Sequence, residues 1–162
     1  MALNKEIERK WLVEREKLPF DLEECKRIEM SQAYISFSPT IRIRSENNER
    51  FILCVKTKPQ AGSLVRDEYE CEISAGEYKE LSKKTDGIFI EKTRYLKEDE
   101  NGFTMEIDVF KGVLEGLCTM EVEFESDIHA RLYKAPCWAV KDVTSDSRYK
   151  NASLAKYGKI AD

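Results

Sequence analysis

The stretch Glu6-Ile7-Glu8-Arg9-Lys10 carries two carboxylates and an ammonium group at alternate positions. It lies in a strand-like run, residues 3–13, and alternate side chains of a β-strand point to the same face of a sheet. Glu6, Glu8 and Lys10 would therefore form a row with about 7 Å between successive members. Carboxylates bind hard divalent cations and an ammonium group binds phosphate, but a charged row is also typical of a solvated strand face. The other strands must therefore decide whether the row is a site.

The composition of the chain limits the kind of partner that it takes. Its 162 residues suit one domain, residues 1–162, with a substantial core. Charged residues make up 36% of the chain, yet the formal net charge is only −4, so both signs are abundant and nearly balanced. A broad nucleic-acid surface needs a basic excess, and we therefore expect no nucleic-acid partner. A local basic site is compatible with the same total.

The cysteines and the N-terminal residues predict a cytoplasmic protein. The five cysteines are scattered and odd in number, no CxxC pair occurs, and there is a single histidine, His129. This pattern disfavours a zinc site and a disulfide framework, so we expect reduced thiols. The N-terminus has no apolar signal region, and no run approaches the roughly 18 apolar residues that span a bilayer. We therefore expect no membrane association.

Residue periodicity and turn residues predict about eight short strands with hairpin-like spacing and a few helices. The predicted strands are residues 3–13, 31–37, 40–45, 51–58, 66–73, 88–97, 103–110 and 119–125. Helices are predicted at residues 21–26, 74–84, 127–134 and 147–157, the second with a capping box formed by Ser74 and Glu77. The predicted class is α+β, mainly β, and an antiparallel barrel or sandwich is the natural architecture.

Nearly every predicted strand has one charged face and one apolar face, and the charges are segregated by sign. The basic faces carry Arg42 and Arg44, then Lys56 and Lys58, then Lys92 and Arg94. The acidic faces carry Glu68, Glu70 and Glu72, then Glu106 and Asp108, then Glu121, Glu123 and Glu125. A barrel with these charges inside would need them to be paired or bound to ions. The two signs together favour a polyphosphate bound with a divalent metal, Mg²⁺ or Mn²⁺.

In this order, the charged residues resemble those of the CYTH proteins, also called triphosphate tunnel metalloenzymes. Glu6, Glu8 and Lys10 match the family's ExExK signature, and the resemblance covers nearly the whole chain. It implies an eight-stranded antiparallel closed β-barrel that binds the triphosphate group within. The metal ligands that it implies are Glu6, Glu8, Glu121 and Glu123. The phosphate-binding residues that it implies are Lys10, Arg42, Arg44, Lys56, Lys92 and Arg94, with Lys150 as a further contact.

The reaction implied by the resemblance is metal-dependent hydrolysis of a triphosphate, with one or two Mg²⁺ or Mn²⁺ ions. The expected catalytic residues are Glu6, Glu8, Lys10, Glu68, Glu70 and Asp108, of which the last three would orient the water or a second ion. Inorganic triphosphate is the expected small-molecule substrate. Hydrolysis of thiamine triphosphate or nucleoside triphosphates, adenylate cyclisation and non-catalytic polyphosphate binding are alternatives. A homodimer is an open alternative to a monomer.

Overall fold

Nine strands and three short helices form the regular structure of the described residues. The computed structural model describes residues 2–59 and 61–161. Its strands are β1 Ala2–Val13, β2 Lys26–Phe37, β3 Thr40–Glu46, β4 Arg50–Lys56, β5 Val65–Ile73, β6 Asp86–Glu98, β7 Thr104–Phe110, β8 Cys118–Glu123 and β9 Ala139–Asp142. Its α-helices are α1 Ala75–Ser82, α2 Asp127–Leu132 and α3 Asn151–Tyr157. None of the described helices is both long and apolar enough to cross a lipid bilayer.

Eight of the strands close into an antiparallel barrel. Their order around the ring is β5-β4-β3-β2-β6-β7-β8-β1, and β1 closes the ring because it also pairs with β5. β1 divides its length between two neighbours: residues 2–7 pair with β5 and residues 8–12 pair with β8. The short β9 pairs with the end of β1, beyond the point where β5 has left it. The closed, mainly β architecture predicted from the sequence is confirmed.

Three segments differ from the predictions, and each difference has a local cause. The helix predicted at residues 21–26 is only the 3₁₀ turn Leu22–Glu24, because β2 begins at Lys26 and pairs with β6 from that residue onward. β9 was not predicted, since its four residues form a strand only through their pairing with β1. The last helix begins at Asn151 instead of residue 147, because the Asp146 carboxylate caps a separate 3₁₀ turn, Ser147–Tyr149.

The outer faces of β1, β7 and β8 form the larger apolar core. They pack beneath α2 and the segment that leads to β9, and the core includes Ile7, Trp11, Met105, Ile107, Met120, Val122, Phe124, Tyr133 and Trp138. Trp11 and Trp138 are only 2% and 8% exposed. Full burial of a large apolar side chain contributes about 1.5–3 kcal/mol, so this outer core stabilises a ring whose interior is charged.

Helix α3 closes one end of the barrel. Leu154 and Ala155, each 1% exposed, belong to a second apolar cluster that lies at this end. The strand residues of that cluster are Tyr34, Ile90 and Phe110. Gly87 of β6 lies directly against the helix, because a Cβ atom at this position would stand 2.4 Å from the Ala155 carbonyl oxygen. The contact between α3 and β6 therefore depends on a residue without a side chain.

Candidate active site

The charged strand faces line the interior of the barrel, as the sequence predicted for a tunnel. A cavity of about 550 Å³ runs through the interior, and a second one of about 390 Å³ opens beside α3. Residues that line both are Glu8, Arg42, Lys56 and Asn151, so the two cavities adjoin. The first is lined by Glu6, Glu8, Gln32, Arg42, Arg44, Lys56, Glu68, Glu70, Lys92, Arg94, Glu106, Glu121 and Glu123, among others. The second contains Lys10 and Lys150.

Arg42 and Arg44 of β3 present positive charge that the protein itself does not neutralise fully. Arg42 is only 6% exposed, yet no described residue forms an ion pair or a hydrogen bond with its guanidinium group. The Nε atoms of both arginines are buried without an acceptor among the described residues. Burial and the neighbouring charge of Arg42 lower the pKa of Arg44. Arg44 pairs with Glu46 at 3.0 Å, whereas Arg42 has no such pair among the described residues. A buried guanidinium group without a partner is costly, so the position of Arg42 is suited to an anionic ligand.

A buried network fixes the basic residues on the neighbouring wall. Asp108 is 0% exposed, and its carboxylate accepts hydrogen bonds from Lys92 Nζ at 2.6 Å and from Arg94 at 2.8 Å. Arg94 also pairs with Glu106 at 2.7 Å and with Glu121 at 3.4 Å. Burial lowers the pKa of Lys92 to about 8, against the opposing effect of Asp108. Asp108 therefore holds Lys92 and Arg94 in place, and both of its oxygens are engaged.

The opposite wall has more carboxylates than the nearby cations can satisfy. Glu8 on β1 stands opposite Glu123 on β8, and no described residue donates to either carboxylate. Burial and the charges of Glu121 and Glu6 raise the pKa of Glu8 well above its usual range. Burial and the same two charges, with that of Glu6 the larger, raise the pKa of Glu123. A hard divalent cation, which prefers carboxylate oxygens, would relieve this repulsion, but Glu8 and Glu123 belong to no group of three described residues whose donor atoms already lie within 4.8 Å of one another.

Glu121, one of the expected metal ligands, is already paired within the tunnel. Its carboxylate lies 3.0 Å from Lys10 Nζ and 3.4 Å from Arg94. Burial acts to raise the pKa of Glu121, but the charges of Lys10 and Arg94 outweigh it and hold this pKa well below the usual range. Glu121 therefore contributes less unsatisfied negative charge than Glu8 or Glu123.

Glu6 and Glu68 lie close together at the junction of β1 and β5, and their pKa values are shifted in opposite directions. Burial acts to raise the pKa of Glu6, but its hydrogen bond with Glu68 and the charge of Lys56, 2.7 Å away, lower it to about 2. Burial and the same hydrogen bond raise the pKa of Glu68 to about 8. Among the described residues, Cys54, Glu68 and Glu70 also form the one group of three potential ligands whose donor atoms lie within 4.8 Å of one another.

Lys10 connects the tunnel to the segment that precedes α3. Its Nζ donates to the Tyr149 carbonyl oxygen at 2.9 Å, and its backbone N–H donates to Thr144 Oγ1 at 3.0 Å. Lys150 is an exposed residue that lines the second cavity. Partial burial of its ammonium group and, to a lesser degree, the charge of Arg66 lower its pKa. The C-terminal segment therefore shares a hydrogen-bond donor with the candidate phosphate site.

The structure brings thirteen of the fourteen expected site residues to the walls of the two cavities. The fourteenth, Asp108, lies behind the wall, where it accepts hydrogen bonds from Lys92 and Arg94. Sequence reasoning missed three participants. Gln32 and Cys54 are uncharged residues on charged strand faces, and the third is the backbone carbonyl of Tyr149. Alternation with Lys56 on β4 was the available signal for Cys54, whereas no pattern in the sequence marked Gln32.

Together, the fold and the site define a closed antiparallel β-barrel with an interior that is suited to a polyanion and a divalent cation. The comparison with protein families agrees with this class, because the CYTH domain model matches residues 4–155. The chain belongs to the CYTH domain family.

Named relatives of the chain are similar over nearly their whole length. An inorganic triphosphatase of Nitrosomonas europaea is 38% identical over 154 residues, which cover 93% of this chain and 96% of the relative. An inorganic triphosphatase of Acetivibrio thermocellus is 34% identical over 157 residues, 95% of each chain. A crystal structure of an inorganic triphosphatase superposes with a TM-score of 0.68 at 32% identity and covers 97% of each chain.

Proposed function

We propose that this protein hydrolyses inorganic triphosphate inside the barrel, with Mg²⁺ or Mn²⁺ as the metal. The observation that carries the proposal is Arg42, a buried guanidinium group that no described residue pairs with, in a tunnel that also holds unsatisfied carboxylates. The names of the two relatives support the choice of substrate. The whole chain would act as one CYTH domain.

The basic wall, formed by Arg42 and Arg44 of β3 and by Lys92 and Arg94 of β6, would bind and orient the triphosphate. Arg42 and Arg44 would donate to phosphate oxygens, and the Asp108 network would hold Lys92 and Arg94 in a fixed position. Fixed cations stabilise the charge that develops on a transferring phosphoryl group without reorganising at the moment of reaction. Lys10, Lys56 and Lys150 would contact the phosphates nearest to α3.

The acidic wall would hold the cation and place the attacking water. Glu6, Glu8 and Glu123 would be the metal ligands, with Glu121 beside them. A bound divalent metal would supply charge neutralisation and an activated, oriented water. Glu68 and Glu70 lie close together on the same side and would orient the water or a second ion. Glu68 would accept a proton only after its own had left, since its pKa in the free protein is about 8.

The first experiment measures phosphate release from inorganic triphosphate, ATP and thiamine triphosphate in parallel, with Mg²⁺, Mn²⁺ or a chelator. We expect metal-dependent release that is fastest from inorganic triphosphate. Removal of the charge-assisted hydrogen bonds in Arg42→Gln should lower kcat/KM about 10- to 100-fold. Arg148→Gln, which changes an exposed arginine that pairs with Asp146, is the matched control and should retain wild-type activity.

Other outcomes would support the alternatives. Formation of a cyclic nucleotide from ATP would support a cyclase. Tight binding of triphosphate without release from any substrate would support a non-catalytic module. A cytoplasmic location stays a prediction that fractionation can test, and size-exclusion chromatography can test the homodimer.

A further inference from the structure

Gln32 is an uncharged side chain in the middle of the basic wall. It lies on β2, opposite Arg44 of β3 and opposite Ile90 of β6. Two residues earlier, Met30 stands opposite Lys92, so the side chain of Gln32 lies between the strands that carry Arg44 and Lys92. Gln32 lines the larger cavity and is only 1% exposed. Its surroundings are therefore those of a phosphate-binding residue.

The amide nitrogen of Gln32 has no acceptor among the described residues. An amide buried without a hydrogen bond costs free energy, and Met or Leu would fill a similar volume without that cost. The terminal torsion of a glutamine is broad, so the nitrogen can turn toward the tunnel when an acceptor arrives. The amide N–H of Gln32 is therefore a hydrogen-bond donor that is available to a ligand.

A neutral donor is suited to this position for an electrostatic reason. Burial and then the charge of Arg42 already lower the pKa of Arg44, and burial lowers the pKa of Lys92. Another cation here would add to the repulsion in the free protein. An amide supplies a directional hydrogen bond to an oxygen without adding charge.

We propose that Gln32 is a substrate-binding residue, whose amide nitrogen donates a hydrogen bond to a non-bridging oxygen of the triphosphate between Arg44 and Lys92. This inference rests on the proposed function, since it needs a triphosphate in the tunnel. To the contacts of the charged phosphate-binding residues, Gln32 adds one neutral contact that fixes the orientation of one phosphate.

The test compares Gln32→Met with the wild type, first in the presence of a chelator and inorganic tripolyphosphate, so that binding is measured without turnover. The variant without ligand should melt at or above the wild-type temperature, because an unsatisfied buried amide has been removed. Its increase in melting temperature with tripolyphosphate should be smaller, and calorimetry should show binding weaker by about tenfold. In the metal-containing assay KM should rise by a similar factor with kcat little changed, as expected for a contact made equally before and during reaction.

Two further variants make the result specific. Gln32→Glu should weaken tripolyphosphate binding more than Gln32→Met does, because its carboxylate would repel phosphate oxygens. Ser31→Ala is the control, since it changes the neighbouring residue on the other face of β2, where the hydroxyl bonds to Glu91 away from both cavities, and it should leave binding unaltered.

The inference would be overturned by unchanged tripolyphosphate binding in Gln32→Met, or by a variant that melts well below the wild type and binds normally when folded. Failure of the proposed function would look different. The wild type would then bind tripolyphosphate but release no phosphate from it, and the binding comparison would still decide the role of Gln32.

Discussion

Among its individual residues, the tunnel contains charged side chains that are paired with other residues of the chain and charged side chains that are not. Asp108 receives three hydrogen bonds from Lys92 and Arg94, whereas Arg42 has no partner among the described residues. The first kind of charge is expected to stabilise and orient the site, and the second kind to bind a ligand. Substitutions of the two kinds should therefore affect different quantities.

Asp108→Asn should reduce stability as well as activity. It would leave two buried cations without their counter-charge, and breaking a buried pair in this way costs about 3–5 kcal/mol. Chemical denaturation of the metal-free protein measures the loss. Asp67→Asn, which removes a partner of the exposed Lys5, is the control and should cost less than about 1 kcal/mol. An equally stable Asp108→Asn protein would show that the network is not needed to offset buried charge.

The raised pKa of Glu68 predicts a pH effect on the metal-free protein. Glu68 has a pKa of about 8 in the fold, against a usual value of 4.5. Its contribution to stability is thus fully present below pH 4.5 and is lost as the pH rises to about 8, because the unfolded chain releases this proton first. Glu68→Gln should flatten the fall in melting temperature between pH 5 and pH 8. The exposed Glu72→Gln on the same strand should keep the wild-type slope, and an unchanged slope in Glu68→Gln would contradict the assignment.

At the element scale, α3 and the turn before it are part of the site although they are not part of the barrel. The turn accepts a hydrogen bond from Lys10 through the Tyr149 carbonyl, and α3 packs by close backbone approach at Gly87. Any change that moves α3 should therefore alter the end of the tunnel where Lys10 lies.

Gly87→Ala should displace α3. The added Cβ would meet the Ala155 carbonyl oxygen at 2.4 Å, and the positive φ of 75° is unfavourable for alanine. We expect faster amide hydrogen exchange across residues 151–157 and a higher KM for triphosphate. Gly102→Ala has a similar φ of 82° but nothing within 4 Å of its Cβ, so it reproduces the backbone strain alone. Equal exchange of α3 in both variants would mean that the Gly87 contact does not position the helix.

The elements also show how far the sequence could be interpreted. Strand alternation placed Arg42, Arg44 and the ExExK row on charged strand faces, because a period of two is a strong local signal when each face has one chemistry. The resemblance to the CYTH proteins then implied that these faces line the interior of a closed barrel. It could not reveal β9, which has four residues and depends on a partner distant in sequence. It also could not separate Asp108 from the other acidic residues, since its engagement by Lys92 and Arg94 is a tertiary fact. Gln32 was missed because a single neutral residue carries no periodic signal.

At the scale of the whole molecule, the tunnel is electrically uneven. The cavity beside α3 is lined by five lysine and arginine side chains besides Arg42, namely Lys10, Lys56, Lys58, Arg66 and Lys150, with Glu8 as its acidic member. The larger cavity, by contrast, is lined by both acidic and basic side chains. A basic mouth raises the local concentration of a polyanion and the rate at which it enters, and salt screens this effect.

Lys58→Glu should therefore lower kcat/KM at low ionic strength and make it less dependent on salt. Lys58 is an exposed residue at the basic mouth, so its charge reversal should change entry of the substrate more than the chemical step. Stopped-flow or steady-state measurements over a range of salt concentrations provide the comparison. Lys84→Glu, on the surface after α1, serves as the charge-matched control and should keep the wild-type dependence. Identical salt slopes in both variants would show that entry is not steered by this mouth.

The division of β1 between two neighbours has a consequence for the order in which the molecule is built. Glu6 lies in the part of β1 that pairs with β5, and Glu8 lies in the part that pairs with β8. The ribosome makes β1 before the other strands of the barrel, whereas it makes β8 and β9 after all of them. Residues 8–12 of β1 therefore have no partner strand on that side until β8 has been made, and long-range pairing of this kind is slow. Until then the arginines of β3 are already present, but Glu6 and Glu8 are not both held by neighbouring strands.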